Sequence, residues 1–167
     1  MERLLVLGAG AGQLGVLAAA RARGLFVIAV DRDPAAPGFH HADRRAILSV
    51  EDEPVLERLA EAERVDGVIA PGADWPVGPA ARIAARLGLA HPISPETAVL
   101  STSKLRQRER LAEAGVPQTP WKVVTGPDDA PLTVPCLVRP PDRQGRRARA
   151  LVRSPREVRS AVRAALR

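Results

Sequence analysis

Short, mostly apolar runs alternate with helix-patterned segments through the first ninety residues, and this alternation restricts the fold more than any other feature. Residues 3–7 form one such run, ended by Gly8-Ala9-Gly10-Ala11-Gly12. The pattern predicts a helix over 13–23, stopped by Gly24, and a second strand over 26–30 that ends at Asp31. A third strand is expected at 45–50 and a helix at 53–63, with Val55, Leu56, Leu59 and Ala62 on one face. A fourth strand over 67–70, closed by Pro71-Gly72, precedes a helix over 77–87 with Gly88 as its stop signal. Strands that are mostly apolar throughout, with short connections, imply an open parallel sheet covered by helices on both faces. Only Phe26, Phe39, Trp75 and Trp121 are aromatic, so the core must be built of Ala, Val, Leu and Ile.

In such sheets ligands sit beyond the carboxyl ends of the strands. Three loops are expected there, at residues 8–12, 31–41 and 71–75. The first contains Gly10-x-Gly12-x-x-Gly15, with Asp31 ending the next strand. Two readings stay open. Glycines let an anion approach the backbone at a helix N-terminus, as in dinucleotide sites; equally, a tight turn needs small residues for packing. An extra Gly8-Ala9 ahead of the fingerprint departs from the dinucleotide pattern. Asp31, Asp33 and Asp74 suit either a substrate hydroxyl or amine, or loop capping. His40 and His41 read as solvent-facing loop residues, with no partner at metal-ligand spacing.

After residue 93 the organisation changes. Ser94-Pro95-Glu96 starts a helix reaching about Ser101, and a second helix over 104–114 ends at Gly115. Prolines then punctuate 115–135 as loop and edge strand. Strands are expected at 121–124, 136–139 and 148–152, with a basic turn over 140–147 between the last two. A helix capped by Ser154-Pro-Arg-Glu157 runs from there to Arg167, its Val158, Ala161, Val162, Ala165 and Leu166 forming an apolar stripe. The arginines between them read as a solvated face. The boundaries are thus 1–93, a helical linker at 94–120, and 121–167.

The formal net charge of +6 is unevenly placed. Residues 136–167 hold ten Arg against Asp142 and Glu157, a local +8. Arg and Ala usage of this kind also follows from genome base composition, but the clustering expects anions. The single cysteine, Cys136, excludes an internal disulfide and reads as a small strand residue in a reducing cytosol. Glycines interrupt the apolar N-terminus, so a strand and turn explain it better than a leader, and a cytoplasmic location is expected.

The order of landmarks resembles the ATP-grasp enzymes. Gly10-Ala-Gly-Gln-Leu-Gly15, Asp31-Arg-Asp-Pro34, Ala36-Pro37, Ala42-Asp43 and Asp66-Gly-Val-Ile-Ala-Pro71 are similar to their opening domain. Leu87-Gly-Leu89, Ser94-Pro-Glu-Thr97, Ser103-Lys104, Ala114-Gly-Val-Pro117 and Pro135-Cys-Leu-Val-Arg-Pro140 continue the match. The resemblance implies a Rossmann-like parallel sheet followed by a small, incomplete α+β antiparallel lobe. It implies an enzyme that activates a carboxylate as an acyl phosphate with ATP, for attack by an amine or similar nucleophile. Lys104, Arg139 and the turn with Arg143, Gly145 and Arg146 would meet ATP phosphates, while Gly10, Gly12, Gln13, Asp31 and Asp74 would lie near the other substrate. Arg stands at 139 where the family uses Lys, and the turn has one glycine where the family has several. By the same resemblance, the magnesium ligands and second ATP-binding lobe would lie beyond residue 167, so weak or absent ATP binding and no catalysis are expected of this chain alone. The expected partners are a small-molecule carboxylate or amine and that further lobe, with a homodimer allowed and neither nucleic acid nor membrane favoured. A dinucleotide-binding module and a non-catalytic, arginine-rich adaptor are the competing readings.

Overall fold

The computed structural model describes residues 1–129, 133–141 and 149–166. It divides into two compact units, Met1–Ser101 and Thr102–Arg167. The first unit holds a four-stranded, all-parallel sheet: β1 (Arg3–Leu7), β2 (Phe26–Asp31), β3 (Arg44–Ile47) and β4 (Gly67–Ile69), in the order β3-β2-β1-β4. Pairing aligns Leu5 with Ile28 and with Val68, which brings the carboxyl ends of the strands to one edge. Helices α1 (Leu14–Ala22), α2 (Glu53–Ala62) and α3 (Val77–Arg86) make the connections, and α4 (Pro95–Thr102) follows.

Alternate strand residues face opposite ways, so the sheet splits its core in two. Leu5, Leu7, Ile28, Val30 and Val68 pack with Leu56 and Ala60 of α2 and Ala80 and Ile83 of α3. Val6, Val27 and Ala29 pack with Leu17 and Ala20 of α1 and with Phe39. Complete burial of each Leu, Ile or Val stabilises by about 1.5–3 kcal/mol relative to exposure. The continuous apolar runs are thus explained by burial on both faces. β3 stops at Ile47, short of the expected residue 50, because β2 ends at Asp31 and leaves it no further partner. Leu48 and Val50 still turn their side chains onto the core.

The amino-terminal edge is fastened by charge. Glu63, only 9% exposed, receives guanidinium hydrogen bonds from both Arg3 and Arg44, the first residues of β1 and β3. Arg3 also lies over the Phe26 ring at 4.3 Å, and its N–H donates to Asp66 Oδ2 at 2.7 Å. By sequence alone Glu63 is only the end of a helix.

In the second unit, α5 (Lys104–Glu113) precedes an antiparallel pair, β5 (Cys136–Val138) and β6 (Ala150–Val152), and α6 (Pro155–Ala165) covers one face of it. Val138, Val152, Ala161 and Val162 form its core. Cys136 is half-buried in β5, opposite Val152. Two expectations need correction. Residues 121–124 form no strand: Val124 packs on the small core, but β5 and β6 pair with each other and no ladder reaches this segment among the described residues. The capping box at Ser154 is not reciprocal either. Glu157 accepts from the Arg153 N–H at 3.0 Å and from the Ser154 hydroxyl at 2.8 Å, while the Ser154 side chain caps no helix N–H. Among the described residues no helix is long and apolar enough to cross a membrane.

Burial opposes ionisation of Glu63, but hydrogen bonds from Arg44 and Arg3 outweigh it and hold the carboxyl below its ordinary 4.5. A carboxyl depressed in the folded state adds stability above the unfolded pKa and loses it as pH falls through the folded value. Urea unfolding of the parent and Glu63→Gln should therefore differ most at neutral pH and converge only as pH falls from about 4.5 through the lower folded value. An equal difference at both ends of that range would show that the ion pairs contribute nothing.

Candidate functional site

The loops at the carboxyl ends of β1 and β4 are joined by one side chain. Gln13, 8% exposed, ends a 3-10 turn (Ala11–Gln13) and donates from Nε2 to Pro71 O at 2.7 Å. A Cβ at Gly8 would lie 3.2 Å from Gln13 Cδ, one at Gly10 3.3 Å from its Oε1, and one at Gly72 3.2 Å from its Nε2. Gly8 and Gly72 also hold φ of 108° and 70°, where L side chains are strained. The glycines of this edge therefore make room for a buried amide. Gly15 differs: it is exposed, and a Cβ there would meet nothing within 4 Å. The third glycine of a dinucleotide fingerprint serves close helix–strand packing, and Gly15 does no such packing.

Asp31 is half-buried and organises the same edge. Its Oδ2 accepts from the Ala9 N–H at 2.9 Å and its Oδ1 from the Asp33 N–H at 3.0 Å, so each oxygen already holds a backbone donor. A residue that the sequence reading missed completes the lattice. Gly38, in a 3-10 turn (Pro37–His41), donates its N–H to Ala9 O at 2.6 Å. A Cβ on Gly38 would come within 2.6 Å of that carbonyl oxygen. The Pro37-Gly38 pair was the only sequence signal, and it is a common one. His40 is exposed and its carbonyl accepts from Arg21, which closes the same turn onto α1.

Beside this lattice lies a cleft of about 280 Å³. Leu7, Gly8, Gln13 and Asp31 line one side; Arg32, Ser49, Val50, Glu51, Ala73, Trp75 and Pro76 complete it. Of the residues expected near a substrate, Gln13 and Asp31 reach the cleft. Gly10 and Gly12, in the first loop, do not line it, and Asp74 lies between two lining residues in sequence without lining it.

In the second unit the structure brings α5 to the chain beyond β5. The Lys104 N–H donates to Pro141 O at 2.8 Å, and Lys104 Nζ donates to the same oxygen at 3.4 Å. Arg139 is exposed, one residue past β5 and two before Pro141. On the sheet face opposite α6, the paired Leu137 and Leu151 are 49% and 53% exposed. Arg143, Gly145 and Arg146 lie outside the described residues. Several arginines are already engaged: Arg108 holds Gln118 and Thr119, and Arg159 pairs with Asp128 at 2.6 Å. Among the described residues no three His, Cys, Asp or Glu come together to hold a metal ion, so no step is assigned to magnesium on them.

Glycine substitutions should separate packing from ligand roles. Gly38→Ala is expected to destabilise by about 1–3 kcal/mol through overpacking against Ala9. Gly15→Ala, at an open helical position, should leave stability unchanged or raise it by up to about 1 kcal/mol. Thermal melts of both variants decide the matter; a destabilised Gly15→Ala beside an unaffected Gly38→Ala would contradict the lattice.

No family model matches the chain. It is 32% identical over 166 residues to the formate-dependent phosphoribosylglycinamide formyltransferase of Burkholderia vietnamiensis, covering 95% of this chain and 41% of that protein. The solved N5-carboxyaminoimidazole ribonucleotide synthetase of Thermus thermophilus matches with a TM-score of 0.75 at 28% identity, over 97% of this chain and 44% of that one. An ADP complex of an N5-carboxyaminoimidazole ribonucleotide synthetase matches in fold, with a TM-score of 0.80 at 19% identity over 98% of this chain and 44% of that one. The chain spans about two fifths of the length of the curated relatives it matches. In sequence and in fold, the chain is a relative of the N-terminal portion of the ATP-grasp enzymes.

Proposed function

We propose that the chain supplies the substrate-side domain and one half of the nucleotide clamp of a cytoplasmic ATP-grasp ligase. Residues 1–93 are the substrate-side, Rossmann-like domain, 94–120 the helical linker, and 121–167 the first part of the nucleotide-holding lobe. Gln13 and Asp31 face the small-molecule carboxylate or amine from the cleft, with Gly10, Gly12 and Asp74 supporting its walls.

The observation that carries this reading is the junction of Lys104 with Pro141. It places the start of α5 against the chain just after Arg139, so both cations that the resemblance assigns to ATP phosphates belong to one locality. ATP suits the residues there: cations for the phosphates, and the half-exposed Leu137 and Leu151 for an apolar base. Arg139 supplies the charge of a lysine with a planar, five-donor head instead of a point charge.

In a ligase of this kind the terminal phosphoryl group of ATP passes to a carboxylate oxygen and ADP leaves. An amine nitrogen then attacks the acyl carbon and phosphate departs. The residues of this chain bind and orient; by the resemblance, metal ligands and the opposing lobe belong to the part of such an enzyme that this chain does not match. Contact from one side only leaves ATP affinity low, because few interactions offset the cost of immobilising the ligand.

Calorimetric titration of residues 1–167 with Mg·ATP tests the half-clamp. A Kd of roughly 0.1–1 mM is expected, weakened about tenfold by Lys104→Ala and by Arg139→Ala, which each remove one charge-assisted contact. Binding indifferent to both substitutions, or robust ATP-dependent coupling by residues 1–167 alone, would remove the reading.

A further inference from the structure

The cleft of the first unit carries two opposite charges without partners among the described residues. Arg32 follows the end of β2, and Glu51 sits in the turn between β3 and α2; both line the cleft. The turn is closed by the Glu51 N–H, which donates to Ser49 Oγ at 3.2 Å. Among the described residues neither charged side chain has an ion-pair or hydrogen-bond partner, so the two stand more than 4.0 Å apart. Elsewhere in this unit arginines and glutamates converge: Arg3 and Arg44 on Glu63, Arg82 and Arg86 on Glu53.

Trp75 adds an apolar wall that is 49% exposed. An indole face attracts an ammonium through its quadrupole, more strongly than any other ring. Asp31 places a second carboxylate on the cleft wall. Two carboxylates oppose a phosphate or polyphosphate ligand, since like charges brought together are costly. A lone guanidinium beside them suits one carboxylate. The volume of about 280 Å³ lies just under the ~300–1,000 Å³ range of drug-sized pockets. Charge pattern and size together describe a small molecule with one anionic and one cationic end.

We propose that this cleft binds a zwitterion of amino-acid size, its carboxylate on Arg32 and its ammonium between Glu51 and the face of Trp75. This names the class of small-molecule substrate and rests on reading the cleft as the substrate side of a ligase.

Fluorescence of the full chain in a Trp121→Phe background makes Trp75 the sole indole reporter. Glycine, L-alanine and β-alanine are titrated in, with methylamine and acetate as probes bearing one charge. A saturable change is expected for at least one zwitterion, at about tenfold or higher affinity than either single-charge probe. Arg32→Gln and Glu51→Gln should each weaken it about tenfold, the scale of one charge-assisted hydrogen bond, with circular dichroism unchanged. No saturable response, equal response to methylamine or acetate, or indifference to both substitutions overturns the proposal. The outcome is separable from the ligase reading, which stands or falls on the Lys104-dependent Mg·ATP titration.

Discussion

The hydrogen bond from the Gln13 amide to the Pro71 carbonyl is the contact on which the carboxyl edge of the sheet depends. In the order β3-β2-β1-β4 the chain reverses its direction of growth at β1, and the loops after β1 and β4 part there. Such a parting opens a crevice in any parallel sheet. In this chain the crevice is spanned at its base by one buried side chain. Neighbouring positions accommodate it: Gly8, Gly10 and Gly72 each leave the space that a Cβ would take from Gln13. Losing the amide would leave the part-buried Pro71 carbonyl without its donor, a cost of up to about 1–3 kcal/mol.

Strand direction also sorts the charges of the first unit. At the amino-terminal edge, Arg3 and Arg44 converge on Glu63 and Asp66 accepts from the Arg3 backbone N–H, and on the outer helices Arg82 and Arg86 pair with Glu53 and Glu57. These are structural uses. At the carboxyl edge, Asp31 is held by two backbone donors, while Arg32 and Glu51 face a cleft. One end of the sheet is closed by charge and the other is left able to receive it.

Strand and helix positions in residues 1–90 were legible because burial on both sheet faces leaves continuous apolar runs, and period alone locates them. The antiparallel pair was legible from its short apolar runs and its covering helix from an apolar stripe at helical spacing. Pairing was not: residues 121–124 are apolar enough for a strand, but hydropathy does not say whether a neighbouring edge exists. Ser154 and Glu157 have capping-box spacing, yet the Glu157 carboxylate turns to the Arg153 N–H and the Ser154 hydroxyl. Gly38 was invisible because its constraint is a contact with Ala9, distant in sequence. Glu63 was invisible because its partners start two different strands. Among the candidate site residues, sequence found Gln13 and Asp31 but not Arg32, Glu51 or Trp75, which become neighbours only once three loops meet.

The second unit contributes a different kind of surface, with Lys104 bonded to Pro141 and a leucine pair half-exposed on the open sheet face. Both units agree with the relatives found, and in both the proposed chemistry rests on how loops are held. Hydrogen exchange on Gln13→Ala measures that most directly. The amides of Gly8, Ala9 and Val77 should exchange about tenfold faster or more, as befits loss of a buried hydrogen bond, with β1 and β2 protected as before. Unchanged exchange at Val77 would show that the two loops do not depend on the amide between them.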